Sequence, residues 1–233
     1  MQNPLIVALD TDSPLKALNL VLKLKITGAA FKVGYELFLA GGHKVVDKIV
    51  GHDVRVFLDL KFHDIPTTVA HAVRETTKMG VWMVNVHASG GSEMMKRAVE
   101  AAKVTAQKEK ISKPLVMGVT ILTSLNDLEE INWNVPVPEQ VLHLATLSKK
   151  SGLDGVVCSS LEAALLRKDL GKNFTLVTPG IRPESSPTHD QKRTMTPREA
   201  LKAGSNYLVM GRPITGEMFP LKAVDRILSS LEK

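Results

Sequence analysis

Residues 56–69, VFLDLKFHDIPTTV, open as an apolar run and close on charge: Asp59, Lys61 and Asp64 fall where a strand should be ending. Strand side chains alternate between faces, so Asp59 and Lys61 are expected on one side, with Asp64 just beyond in the turn. The apolar part is nearly continuous, as in the strands of a parallel sheet covered by helices. Seven further runs share that character, at residues 4–10, 30–35, 83–88, 115–122, 155–160, 175–180 and 207–213. Segments with helical spacing lie between them. Three carry start signals: Ser13-Pro14, Ser92, and the capping box Thr196-Pro197-Arg198-Glu199, whose helix Gly204 should terminate. Eight such units in a chain of 233 residues indicate an α/β fold, the (β/α)8 TIM barrel. An open doubly wound sheet is the competing topology, yet no G-x-G-x-x-G follows the first run and no G-x-x-x-x-G-K-[ST] occurs. Neither a composition shift nor a linker divides the chain, so residues 1–233 are expected to form a single domain.

Composition narrows the function. With 44% hydrophobic and 23% charged residues, the chain can bury a sizeable core and is not a disordered one. The formal charge of +6 suits anionic ligands, but the basic residues are scattered and aromatics are only 4%, which argues against nucleic acid. Cys158, the single cysteine, excludes an internal disulfide and reads as a buried small hydrophobe. The opening MQNPLIVALD has no basic n-region, and its apolar run is too short for a signal core or a membrane span. A soluble cytoplasmic protein is the expectation.

In such barrels the active site lies at the C-terminal ends of the strands. The polar residues closing the runs are Asp10, Lys32, Asp59 with Lys61, His87, Thr120 or Thr123, Ser159, Thr178 and Arg212. Singly, each has an ordinary role at a wet strand end; barrel closure brings them around one mouth. The segments PGIR and MGRP place glycines with Arg182 and Arg212 after the last two strands, where barrels commonly bind phosphate. Ordinary glycine turns with surface arginines are the alternative. The polar loop at 181–195 is long enough to be a lid. Metal chemistry is not expected, because H-E-x-x-H and paired cysteines are missing and the seven histidines are dispersed. His63 and His71 read as loop or helix-surface residues, His87 as a hydrogen-bonded wall residue, and Trp82, Trp133 and the methionines as packing groups.

A lysine held between Asp59 and Asp64 would be biased towards its charged form, which disfavours Schiff-base chemistry. It suits stabilisation of a developing anion and proton donation. A salt-bridge cluster that merely locks the strand end remains the alternative reading of these residues.

The segment Asp59-Leu-Lys61-Phe-His-Asp64-Ile65-Pro-Thr-Thr68 matches the D-x-K-x-x-D-I-x-x-T signature of the orotidine 5′-phosphate decarboxylases. The resemblance continues through VALD, FKVGYELF, GVWMVNVHASGG, GVTILTS, LDGVVCS, LVTPGIRP and VMGRPIT, most like the shorter bacterial form. It implies a cofactor-free decarboxylation of orotidine 5′-monophosphate to uridine 5′-monophosphate, the last step of de novo pyrimidine nucleotide synthesis. By the same resemblance Lys61 stabilises and then protonates the C6 carbanion, with Asp59 beside the departing carboxylate. Asp64, Ile65 and Thr68 enter from the neighbouring subunit, which implies a homodimer. Asp10 and Lys32 hold the ribose hydroxyls, Thr123 lies near the base, and Arg182, Gln191, Gly211 and Arg212 grip the phosphate. Two alternatives stand beside this reading. Magnesium-dependent sugar-phosphate decarboxylases and aldolases of the same superfamily share the D-x-K-x-x-D core, but typically carry an acidic ligand where this chain has Lys32. A catalytically silent phosphate-binding barrel is the other.

Overall fold

The computed structural model describes residues 3–183 and 195–232. Among them, eight parallel strands close into a barrel in chain order. They are β1 Leu5–Ala8, β2 Ala30–Val33, β3 Val56–Phe62, β4 Met83–His87, β5 Leu115–Val119, β6 Gly155–Val157, β7 Thr175–Thr178 and β8 Tyr207–Met210. The helices α1 Pro14–Leu24, α2 Tyr35–Val50, α3 Pro66–Lys78, α4 Gly91–Glu109, α5 Val137–Lys150, α6 Ala163–Leu170 and α7 Pro197–Lys202 follow β1 to β7 in turn. After β8 come the short α8 Arg212–Thr215 and the closing α9 Pro220–Glu232. This is the (β/α)8 barrel that the eight apolar runs predict. Ile6 pairs with both Ala30 and Val209, which closes the ring.

The near-continuous apolarity of the strands follows from burial on both sides. Inward-facing Ile6, Ala30, Phe57, Met83, Met117 and Val177 fill the barrel as one cluster. The outward-facing residues pack under the helices: β1 to β3 chiefly with α1, α2 and α9, and β4 to β7 with α3 to α6. Each fully buried Leu, Ile or Phe contributes about 1.5–3 kcal/mol. The amino-terminal end of the barrel is shut by Arg55, whose guanidinium lies 4.8 Å from the Trp82 ring and 5.8 Å from Tyr207 while donating to Asn3 O and Gly28 O. Trp82 is thus a packing group, edge-on to Tyr207 at 5.0 Å. Cys158 is buried. Met218 departs from the packing expectation, being 84% exposed.

Two of the three expected helix starts hold. The Ser13 hydroxyl accepts from Lys16 N, and Thr196 and Glu199 bond reciprocally as a capping box. Gly204, at φ 110°, follows the end of α7 as expected. Ser92 is not a cap. The turn Ala88–Gly90 feeds straight into α4, whose flanking residue is Gly90, and the entry passes through Gly91 at φ 87°, a backbone glycine adopts readily. The sixth strand also ends early, because the Ser159 hydroxyl accepts from Leu161 N and starts a turn.

Candidate active site

At the carboxyl-terminal mouth, four charged side chains from β1 to β3 join in alternating sign. Lys32 Nζ lies 3.1 Å from Asp10 Oδ1 and 3.3 Å from Asp59 Oδ2, and Lys61 Nζ lies 2.8 Å from Asp59 Oδ1. Strand parity assembles the first three: Asp10, Lys32 and Asp59 each stand two residues beyond an inward-facing core residue, namely Ala8, Ala30 and Phe57. Burial opposes charge on both central groups. It would raise the Asp59 carboxyl, but the Lys32 and Lys61 ammoniums, with hydrogen bonds from Lys61 and Asn85, hold it below the usual carboxylate range. It would lower Lys32, but Asp59 and Asp10 more than offset that and raise it. Gly34 leaves room for this ammonium, since a β-carbon there would stand 3.0 Å from Lys32 Nζ.

Lys61 arrives differently. The β3–β4 register passes from Leu58↔Val84 to Phe62↔Val86, so β3 bulges between them. Within the bulge Lys61 has φ 44°, a left-handed backbone that costs a residue with a β-carbon about 1–2 kcal/mol. Its N–H donates to Asn85 Oδ1 at 2.8 Å, and Asn85 Nδ2 donates to Asp59 Oδ1 at 2.7 Å. The ammonium also sits 5.5 Å from the Tyr35 ring centroid, and the Tyr35 hydroxyl donates to Leu60 O. Asp59 and Lys61 therefore do meet, through a bulge and not through plain alternation.

Sequence reasoning missed Asn85 and Tyr35. The available signal for Asn85 was its place in MVNVH, a polar residue at an inward position between Met83 and His87. His87 itself packs its ring 5.1 Å from His63. Burial, then His63 and Lys61, bring its imidazole down to about 4 against the pull of Asp59, so it is neutral at pH 7. Among the described residues the contact seen for this wall residue is the His63 ring.

The expectation of a lysine between two carboxylates is corrected within this chain. Asp64 is exposed, and its Oδ1 accepts from the adjacent Ile65 N at 2.6 Å. Among the described residues the ion pair formed by Lys61 is with Asp59. Ile65 is 68% exposed and Thr68 is exposed on the first turn of α3, so Asp64, Ile65 and Thr68 form one outward segment beside the mouth. Other strand-end candidates serve the fold: Thr120 donates to Val157 O, Ser159 caps its turn, and Thr178 donates to Ser205 Oγ. Thr123 stays half-buried in the loop after β5.

A second focus lies after β7 and β8. Arg182 is buried, its Nη1 donates to Ile181 O, and its Nε has no hydrogen-bond partner among the described residues. Burial lowers its pKa, and the charge of Arg212 lowers it further, so two like charges share this corner. A buried orphan donor beside a second guanidinium is the electrostatic demand that an anion meets. Gly211 precedes Arg212, and a β-carbon on it would stand 3.5 Å from Asp10 Oδ2, inside the mouth. Ile181 and Met195 form a parallel bridge, closed by Arg182 N to Met195 O at 3.0 Å, so the ends of the expected lid meet here. Gln191 and most of that loop lie outside the described residues.

The profile of the family described as Orotidine 5'-phosphate decarboxylase / HUMPS matches residues 3–227. An orotidine 5'-phosphate decarboxylase from Vibrio vulnificus is 50% identical over 230 residues, spanning 98% of this chain and 97% of that one. One from Saccharophagus degradans is 48% identical over 231 residues, spanning 98% and 95%. The crystal structure of orotidine 5'-phosphate decarboxylase from Lactobacillus acidophilus superposes with a TM-score of 0.87 at 39% identity, covering 99% of each chain. By sequence and by fold, over nearly its whole length, the chain belongs to the orotidine 5′-phosphate decarboxylase / HUMPS family.

Proposed function

We propose that Lys61 is the cation and proton donor in the decarboxylation of orotidine 5′-monophosphate to uridine 5′-monophosphate, the reaction of this carboxy-lyase in UMP biosynthesis. The observation that carries the role is the Asp10–Lys32–Asp59–Lys61 chain, with Lys61 as its terminal ammonium at the mouth. The bond from C6 to the carboxylate breaks, CO2 leaves, and the electron pair stays on C6. Lys61 then transfers a proton to C6 and is reprotonated from solvent. An ammonium fixed by Asp59 stabilises the carbanion with little reorganisation during the reaction. Arg182, Gln191, Gly211 and Arg212 hold the phosphate, and contacts remote from C6 fix the ring so that their energy appears at the transition state. Asp10 and Lys32 hold the ribose, and Thr123 borders the base.

The exposed segment with Asp64, Ile65 and Thr68 supports a homodimer in which these residues complete the partner's site. The Lys32 ammonium supports cofactor-free chemistry, because it already occupies the place between the Asp10 and Asp59 carboxylates that a divalent cation would take. No helix among the described residues is long and apolar enough to cross a membrane. The match of one family profile to residues 3–227 supports a single-domain enzyme, and a role in UMP biosynthesis supports placing it in the cytoplasm. Mixing the protein with orotidine 5′-monophosphate and a metal chelator, while following absorbance of the base, tests this reading. Turnover is expected; dependence on added Mg²⁺ would favour the sugar-phosphate branch of the superfamily, and binding without turnover a silent barrel.

A further inference from the structure

The peptide unit joining Leu60 to Lys61 is held at both ends by side chains. Its N–H donates to Asn85 Oδ1 at 2.8 Å, and its carbonyl accepts from the Tyr35 hydroxyl at 2.9 Å. The register explains why. Between the pairs Leu58↔Val84 and Phe62↔Val86, the residues Asp59, Leu60 and Lys61 face Asn85 alone, so the strand ladder is interrupted there. A peptide lifted out of a ladder needs other partners, and the left-handed backbone of Lys61 needs something to hold it.

Asn85 supplies more than one bond. It is fully buried, and its amide nitrogen donates to Asp59 Oδ1 at 2.7 Å. The amide orientation is forced, because a backbone N–H needs an acceptor and an ionised carboxylate needs a donor. Asp59 Oδ1 thus receives Lys61 Nζ and Asn85 Nδ2 together, while Oδ2 faces Lys32. An alkyl side chain at this position would leave the Lys61 N–H without its acceptor and take a donor from Asp59. A charged one would intrude on the alternating chain.

We propose that Asn85 is a positioning residue for the decarboxylation, fixing the Asp59–Lys61 pair by bonding the backbone of one and the carboxylate of the other, with Tyr35 steadying the same peptide from its outer side. The inference rests on the assignment of Lys61 and Asp59 to the reaction. Asn85 does not touch the reacting carbon. It acts by keeping the ammonium where charge develops, and small displacements of such a group are costly to rate.

Steady-state kinetics of Asn85→Ala and Asn85→Leu, with uridine 5′-monophosphate binding and thermal unfolding measured beside them, test it. The expected result is a kcat lowered by about 10- to 100-fold, the range a charge-assisted hydrogen bond supports, with KM and product affinity near those of the unmodified chain. Tyr35→Phe moves kcat the same way by less, since Tyr35 is half exposed. In an Asp59→Ala background Asn85→Leu adds little, because both act on one pair. A merely structural residue would lower the folded fraction and leave kcat per folded molecule unchanged. Turnover by the unmodified chain with kcat per folded molecule retained in both variants overturns this inference alone, as does failure of both variants to fold or to bind product. Lack of turnover in the unmodified chain overturns the functional reading and this inference together.

Discussion

Asp59→Asn removes the charge that two ammoniums share and leaves the shape almost unchanged. In the intact site Asp59 meets Lys32 at 3.3 Å and Lys61 at 2.8 Å, and only 11% of its side chain is open to water. Taking one partner from a buried ion pair costs about 3–5 kcal/mol, because an uncompensated charge stays behind. Lys32 keeps Asp10 at 3.1 Å, and the Lys61 side chain is 25% exposed, both of which favour the lower end, about 3 kcal/mol. For a chain of this size that lowers Tm by about 6–12 °C. The pH dependence has a definite sign. The folded-state pKa of Asp59 is depressed, so its contribution is present above the ordinary value of 3.8 and is lost as pH falls through the lower folded value. Thermal and urea unfolding of both proteins at matched concentration, from pH 7 into acid, measure this directly. The gap should be widest at neutral pH and close below 3.8. Equal Tm values at pH 7, or a gap that ignores pH, would refute the reasoning that Asp59 is the electrostatic centre of the site.

Two further outcomes follow from the same geometry. Arg212→Ala should weaken binding of uridine 5′-monophosphate by about 10- to 100-fold, the worth of one charged hydrogen bond, and leave uridine almost unaffected; equal losses for both ligands in a binding titration would remove the phosphate from this corner. His87 refuses a proton in the fold until about pH 4, whereas the unfolded chain accepts one near 6.5, so stability should climb with pH across that interval and His87→Gln should flatten the climb. Denaturant midpoints measured through that window, with identical slopes in the two proteins, would show that burial, with His63 and Lys61 beside the ring, does not hold His87 neutral.

The barrel was legible because burial on both faces leaves a direct mark: runs such as LIVA and LVMGV carry no polar side chain. The mouth was legible for a related reason, since polar residues closing those runs can only stand where the strands emerge. Asp10, Lys32 and Asp59 met as parity requires, and Arg182 and Arg212 share one corner because consecutive strands of a barrel are neighbours. What stayed hidden depends on contacts between strands. The bulge that turns Lys61 inward involves a β4 side chain, Asn85, and no periodicity within residues 56–62 announces it. The outward turn of Asp64 is likewise set by a hydrogen bond to its own neighbour, which spacing alone does not reveal. Ser92 failed as a cap because the chain enters the helix through Gly91, at φ 87°, one residue earlier.

Turnover of orotidine 5′-monophosphate by Lys61→Ala is the most direct measurement of the central claim, provided the variant keeps its fold and its affinity for uridine 5′-monophosphate. Losing both carbanion stabilisation and the proton donor should lower kcat by at least about 10⁴-fold. A folded, product-binding Lys61→Ala that decarboxylates at a rate near that of the unmodified enzyme would contradict the account.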